Sequence, residues 1–392
     1  MKKKKVLLIM PISTLEFGTK NAGGVDSVCQ EILKQIIKVG SEDFEYRALA
    51  FDPFSEVDYS GVPQQLANNV SVVTAPANEK LGYVRLPGLL CQMIRIRQQI
   101  KDYQPDIIHS HASSWLAGVN KRHHRIATLH AYKWIARQKV SPLNDFLYVK
   151  ILPRITNFFI DQYTCVGNII KDALEKNTTK PIYLIENPIN EVFFAKHHRP
   201  ISTSINLVTC SIISPRKRLD RVISLVSDLV GRNIDVQLCI IGPASNISYY
   251  EQLIRQIRES KLEGRVSFLG RKNTFDVANI YKNSDFGVFL SDEETFGLAP
   301  LEMLASGLPI IATPVGILSE ERVFFSEKGI HYYDNDTNVD SVIDFINFHN
   351  KHFEKIPYSY LKERFTPSSI VAMYENLYTD SRQQDKRGLE DS

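Results

Sequence analysis

The chain has 392 residues, 43% hydrophobic and 23% charged, which excludes a disordered polymer and supplies two or three ordinary cores. Its net charge of +3 is too small to suggest a nucleic-acid partner. Five scattered cysteines with no CxxC pair exclude a disulfide framework or zinc knuckle and fit a reducing compartment.

The opening MKKKKVLLIMPIST resembles a signal peptide only briefly. Pro11, Ser13, Thr14 and Glu16 interrupt its apolar run, so VLLIMPI (6–12) reads as a buried first strand. The loop GTKNAGG follows, then a helix in which Val25, Val28, Ile32, Ile36 and Val39 recur every three or four residues up to Gly40. Strand-like runs continue at EYRALAF, VSVVTA, DIIHSH, IATLH, QYTCVG and PIYLIEN, with a helix over 87–102. His109 and His111 alternate along DIIHSH and share a face, but no third metal ligand lies nearby in sequence.

Charge is uneven. Residues 1–195 hold 24 Lys/Arg against 18 Asp/Glu, and the remainder 23 against 26. Between Lys121 and Arg154 eight basic residues face one acid, Asp145, and Tyr132, Trp134, Phe146 and Tyr148 are interleaved. Such a mixture suits anionic headgroups or a phosphorylated substrate; a solvated basic face over core aromatics is the plainer alternative. No uncharged apolar run reaches the ~18 residues of a membrane-spanning helix, so a cytoplasmic protein is expected, peripheral at most.

The pattern restarts near residue 205. INLVTCSI, VQLCIIG, VSFLG, FGVFLS, PIIAT and GIHYY alternate with helical segments such as RLDRVISLVSDLVGR and ISYYEQLIRQIRESK. Alternation of this kind argues for doubly wound parallel sheets in both halves, facing each other across a cleft. The expected boundaries are 1–195, 196–365, a helix over 366–379, and a disordered polar tail over 380–392.

One stretch carries most of the chemistry. In ETFGLAPLE, Glu294 and Glu302 flank Phe296 and Gly297, with Pro300 in the first turn of a short helix closed by Gly307. Amides exposed after Gly297 favour an anion, and a phosphate is the natural guest. A glycosidase carboxylate pair is the competing reading, since spacing alone does not exclude it.

The run S-x-x-E-x-F-G-L-x-x-L-E-x-x-A-x-G-x-P-I-I-A-T resembles the E-x7-E signature of the retaining family-four glycosyltransferases, which have the GT-B fold. In order along the chain, Gly23–Gly24, PDIIHSH, IATLH, CIIGPAS, VSFLGRK and FTPSSIVAMYENLY also match that family's pattern. The resemblance implies that Glu294 orients donor-sugar hydroxyls, Glu302 holds the ribose, and amides of Phe296, Gly297 and Leu298 hold sugar or phosphate. It implies that His130 contacts the sugar and departing phosphate, while Lys217 neutralises the diphosphate. Gly23, Gly24 and Gly242 would line the donor, Arg271 and Lys272 its base, and His111 the acceptor, with His109 a packed core histidine. The last of the matched helices would cross back onto the first domain.

Ser211 stands where that family carries an arginine, and Arg216 or Arg218 would supply the missing cation; ENPIN (186–190) replaces an N-G pair. The expected function is a metal-independent, retaining transfer from a UDP- or GDP-sugar to a glycan acceptor, lipid-linked at an anionic surface contacted by 121–154. That chemistry serves bacterial surface polysaccharide assembly: O-antigen or other lipopolysaccharide, capsule or exopolysaccharide. A sugar-nucleotide epimerase and a non-catalytic binding member are the alternatives. A dinucleotide oxidoreductase is disfavoured, because AGGVDS is a poor substitute for GxGxxG.

Overall fold

The computed structural model describes residues 3–390 apart from 60, 79, 82–83, 86–87, 132–150, 195–203, 327, 335–336 and 350–355. The chain divides into two compact units, 1–188 with 367–392, and 189–366.

In the first unit, β1 (Lys4–Pro11) leads into α1 (Gly24–Val39), followed by β2 (Phe44–Asp52), β3 (Gln64–Ala67) and β4 (Val70–Pro76). A short ribbon, β5 (Lys80–Leu81) and β6 (Val84–Arg85), precedes α2 (Gly88–Tyr103) and β7 (Ile107–Ser110). Then come β8 (His124–Leu129), α3 (Leu152–Asn157), β9 (Gln162–Cys165), α4 (Asn168–Glu175) and β10 (Ile182–Leu184). The sheet order is β10-β9-β8-β7-β1-β2-β4-β3, parallel except where β3 pairs with β4. Val6 to Met10 are at most 1% exposed, because helices cover both faces of a parallel sheet.

The apolar stripe of α1 lies against that sheet through Val28, Ile32 and Ile36. Its last expected member does not: Val39 is 70% exposed, as the final residue of a helix ending at Gly40. Cys29 and Leu33 are buried in its place on a helix that also meets the C-terminal helix, Pro367–Glu390. That helix belongs to the first unit. It extends to Glu390, where the sequence suggested a disordered tail from residue 380.

The second unit runs β11 (Ile205–Cys210), α5 (Leu219–Gly231), β12 (Val236–Ile241), α6 (Ile247–Glu259), β13 (Val266–Gly270), α7 (Thr274–Lys282) and β14 (Phe286–Phe289). It continues with α8 (Leu298–Ala305), β15 (Ile310–Ala312) and β16 (Ile330–Tyr332). All six strands are parallel in the order β13-β12-β11-β14-β15-β16. This is the Rossmann order 3-2-1-4-5-6, whose direction of winding reverses between β11 and β14. The compact unit begins at Ile189, a few residues before the expected 196: Ile189 N–H donates to the Phe365 carbonyl (2.7 Å), and Phe193 packs on Tyr281 at 5.7 Å between centroids.

Candidate functional site

Ligands of open α/β sheets sit beyond the strands' carboxyl ends where the winding reverses. In the second unit that point is flanked by the loops after β11 and β14, and these carry Lys217 and Glu294. Arg218, at φ 48°, ends a single turn, Pro215–Lys217, that sets Lys217 at the loop's tip. The loops are tied by backbone: Asp292 N–H donates to the Arg216 carbonyl (2.9 Å), and Arg216 Nη1 donates to the Glu293 carbonyl (3.2 Å). Lys217 Nζ pairs with Glu294 Oε1, which also accepts from the Ser291 hydroxyl at 2.9 Å. Thr313 fixes that corner by donating to the Ser291 carbonyl at 2.6 Å.

The turn into α8 is built by two glycines. Gly297 takes φ 92° at the helix N-cap. A Cβ on Gly316, itself at φ 56°, would lie 2.4 Å from the Phe296 carbonyl oxygen, which accepts from Ile317 N–H at 2.9 Å. The Phe296 ring is buried and edge-on to Phe365 at 6.0 Å, so only its backbone can meet a ligand. Leu298 opens the helix, whose first N–H groups have no intrahelical acceptor. Glu302, on α8, lies close to Cys210 at the end of β11. Burial first, then this carboxylate, pushes the Cys210 thiol up to about 12.

The neighbouring strand ends complete the row. Gly242 N–H donates to the Gly270 carbonyl (2.9 Å), and the exposed Arg271 and Lys272 follow Gly270. A Cβ on Gly242 would stand 1.9 Å from the Ser211 carbonyl oxygen, so the close crossing of these strand ends requires glycine. Of the two arginines that could stand in for the residue missing at Ser211, Arg218 is held by Asp220 (2.9 Å) and Asp292 (3.1 Å). Arg216 meets a backbone carbonyl, and is the better placed of the two to take an anion.

In the first unit the reversal lies between β1 and β7. Gly23 and Gly24 open α1 after β1, with nothing within 4 Å of where either Cβ would project. Their loop is held by Asp26, a buried acid that accepts from Ser13 N–H (2.9 Å), Ser13 Oγ (2.6 Å) and Ala22 N–H (2.6 Å). His111 follows β7 and His130 follows β8, and His111 Nδ1 lies 2.8 Å from His130 Nε2. His130 Nδ1 is 3.2 Å from Asn187 Oδ1, in the ENPIN stretch. Burial lowers His130 to about 4 and His111 well below its usual range, so both imidazoles are neutral near pH 7. His109 is a core histidine, bonded through Nδ1 to Tyr378 (2.6 Å) and through Nε2 to Thr128 (2.6 Å).

Sequence reasoning missed Asp26, Asn187 and Cys29. Cys29 on α1 stands with His111 and His130, supplying the third potential metal ligand that the strand itself lacked. Burial and then Asp26 push its thiol up. The only signal for Asp26 and Cys29 was their place just after Gly23–Gly24. Of the basic stretch, Tyr132, Trp134, Phe146 and Tyr148 lie outside the described residues.

Residues 22–192 match the model described as Glycosyltransferase Family 4, and residues 194–348 the model described as Glycosyl transferases group 1. The chain is 30% identical over 177 residues to N-acetyl-alpha-D-glucosaminyl L-malate synthase of Bacillus anthracis, a match spanning 44% of each protein. It is 28% identical over 238 residues to alpha-monoglucosyldiacylglycerol synthase of Streptococcus pneumoniae, spanning 54% of this chain and 52% of the relative. The chain thus spans about half the length of these curated relatives. Its fold matches that of sucrose-phosphate synthase from Thermosynechococcus elongatus with a TM-score of 0.76 at 15% identity, over 97% of this chain and 100% of the other.

Proposed function

The chain belongs to the GT-B glycosyltransferases matched by those two family models, and on that premise we propose that it is a retaining, metal-independent hexosyltransferase acting on a nucleotide-diphosphate sugar. The observation that carries the reading is the meeting of Lys217 and Glu294 at the winding reversal of a Rossmann-ordered sheet, beside the amide-rich start of α8. In this reading the diphosphate takes the place of Glu294 on Lys217, with Arg216 as the second cation. A charge at ~4 Å is worth about 4 kcal/mol at an effective dielectric near 20, so one lysine there matters greatly.

Released from Lys217, Glu294 accepts hydroxyls of the donor sugar, and Glu302 those of the ribose. Backbone amides of Phe296, Gly297 and Leu298 receive phosphate or sugar oxygens. Gly23 and Gly24 admit the donor closely, Gly242 does the same beside the base, and backbone near Arg271 and Lys272 reads that base. His130, oriented by Asn187, contacts the sugar and departing phosphate, while His111 faces the acceptor. The reaction passes through an oxocarbenium-like state, and the leaving phosphate takes the acceptor's proton.

A lipid-linked acceptor in surface-polysaccharide assembly is the finer proposal. It is supported by exposed Arg154, Ile155 (46%) and Phe158 (75%) around α3, cation and apolar groups together at the end of the basic stretch. No helix among the described residues is long and apolar enough to cross a membrane. Incubation with UDP-, GDP- and ADP-sugar panels, with and without lipid-linked acceptor, tests both levels. A transferase releases nucleotide in proportion to glycosylated product; conversion of the sugar nucleotide without acceptor would mark an epimerase, and silence a binding protein. Failure to float with anionic liposomes at low salt would remove the membrane proposal alone.

A further inference from the structure

Three side chains from distant parts of the first unit meet beyond the ends of β7 and β8. Cys29 is fully buried on α1, His111 is 5% exposed, and His130 is half-buried. One donor atom from each lies within 4.8 Å of the other two. The two imidazoles stack at 17° with centroids 5.1 Å apart.

Their protons can be placed. Asn187 Oδ1 only accepts, so His130 carries its proton on Nδ1 and turns the Nε2 lone pair toward His111. His111 then donates through Nδ1 at 2.8 Å, and its own lone pair sits on Nε2. That atom is buried and has no hydrogen-bond partner among the described residues. A buried Lewis base without a partner is costly, and this one belongs to a residue clustered with a thiol and a second imidazole. His130 also has the outer carbonyl contact that orients metal-binding imidazoles.

We propose that Cys29, His111 and His130 form an inhibitory site for a thiophilic divalent metal ion, Zn2+ first among them. Two imidazoles and a thiolate suit zinc or cobalt and not magnesium or calcium. Three protein ligands leave a fourth position open, and the half-buried His130 gives entry. With bonds of about 2.0–2.3 Å, neighbouring ligand atoms around a tetrahedral ion stand roughly 3.3–3.6 Å apart, so the side chains, whose ligand atoms lie within 4.8 Å of one another, adjust by up to about 1.5 Å. On binding, the Cys29 S–H bond gives its proton to solvent as the S–metal bond forms. Each imidazole lends its Nε2 lone pair and stays neutral: His130 gives up the hydrogen bond it accepts from His111 Nδ1 and keeps its own proton toward Asn187. The Asp26 carboxylate, close to Cys29, favours the added positive charge.

The inhibitory consequence rests on the function proposed above, because His130 cannot serve the sugar while it serves the ion. The site itself does not. Titration of the full-length protein with Co2+ is expected to give a thiolate-to-cobalt charge-transfer band saturating at one equivalent and displaced by Zn2+. Zn2+ should abolish nucleotide release with the same midpoint, and a chelator should restore it. Cys29→Ala removes the thiolate ligand but none of the residues assigned to the sugar nucleotide, and is expected to keep basal turnover, lose the band, and resist Zn2+ by at least about tenfold. Cys29→Ser, closer in volume, serves if the alanine variant folds poorly. Absence of the cobalt band overturns the site, as does equal Zn2+ sensitivity of wild type and both variants. A band in a protein with no transferase activity would instead overturn the function and leave the site standing.

Discussion

Lys217 and Glu294 are 77 residues apart in sequence and in contact in the fold, each 13% exposed. The pair neutralises itself, and on the function proposed above a diphosphate would displace a carboxylate to reach the cation. Lys217→Ala is therefore expected to lower kcat about a hundredfold to a thousandfold, as loss of one preorganised charge contact does, with the far-UV dichroism unchanged. Gly316→Ala should fail differently. Its Cβ meets a backbone oxygen at 2.4 Å that no rotamer can move, so the Phe296–Gly297 turn must shift, and donor affinity should fall in isothermal titration while Lys217 stays in place. Glu294, Glu302 and Gly297 were legible in the sequence because a turn-and-helix start is a local pattern. Cys29 and Asn187 were not, because His111 and His130 reach them from loops that only the sheet brings together; Asp26 was not, because its bonds depend on the fold of the loop that it closes.

At the level of elements, apolar runs and helical periodicity reported strands and helices well, since each buries a continuous face. They could not report Arg125. This residue on β8 is 2% exposed and sends Nε and Nη2 to the two carboxylate oxygens of Asp161 (2.9 and 2.7 Å), with Nη1 to the Val119 carbonyl. The pair joins β8 to the entrance of β9 and holds the Asp161 carboxyl below its usual range, against the opposing effect of burial. Arg125→Met should destabilise by about 3 kcal/mol in urea titration, because it leaves a partly buried carboxylate without its fork. From sequence alone Arg125 was one more cation in a basic stretch.

Across the whole molecule, acid should act chiefly on the first unit. His109, stacked on His111 and bounded by Tyr374, Tyr378 and Thr128, is lowered to about 3 by burial first and His130 second. Below pH 6.5 the unfolded chain binds a proton here that the native imidazole refuses until about pH 3, so stability falls with pH throughout that window. The loss is at most about 1.4 kcal/mol per pH unit for each such group. Tm measured from pH 7 to 5 should drop, and His109→Gln should flatten the slope. A cognate nucleotide should raise Tm, by the equivalent of about 2.7 kcal/mol at a hundred times its Kd; UDP, GDP and ADP compared side by side would identify the base. The helix Pro367–Glu390 completes a unit that begins 300-odd residues earlier, bringing Tyr378 to His109 and Glu375 to Tyr46 at 2.7 Å. During synthesis, then, the half of the protein made first is the half that finishes last. A ribosome that stalled before residue 367 would release a nascent chain whose early sheet lacks its closing phenol, and cellular quality control would meet an open polar core.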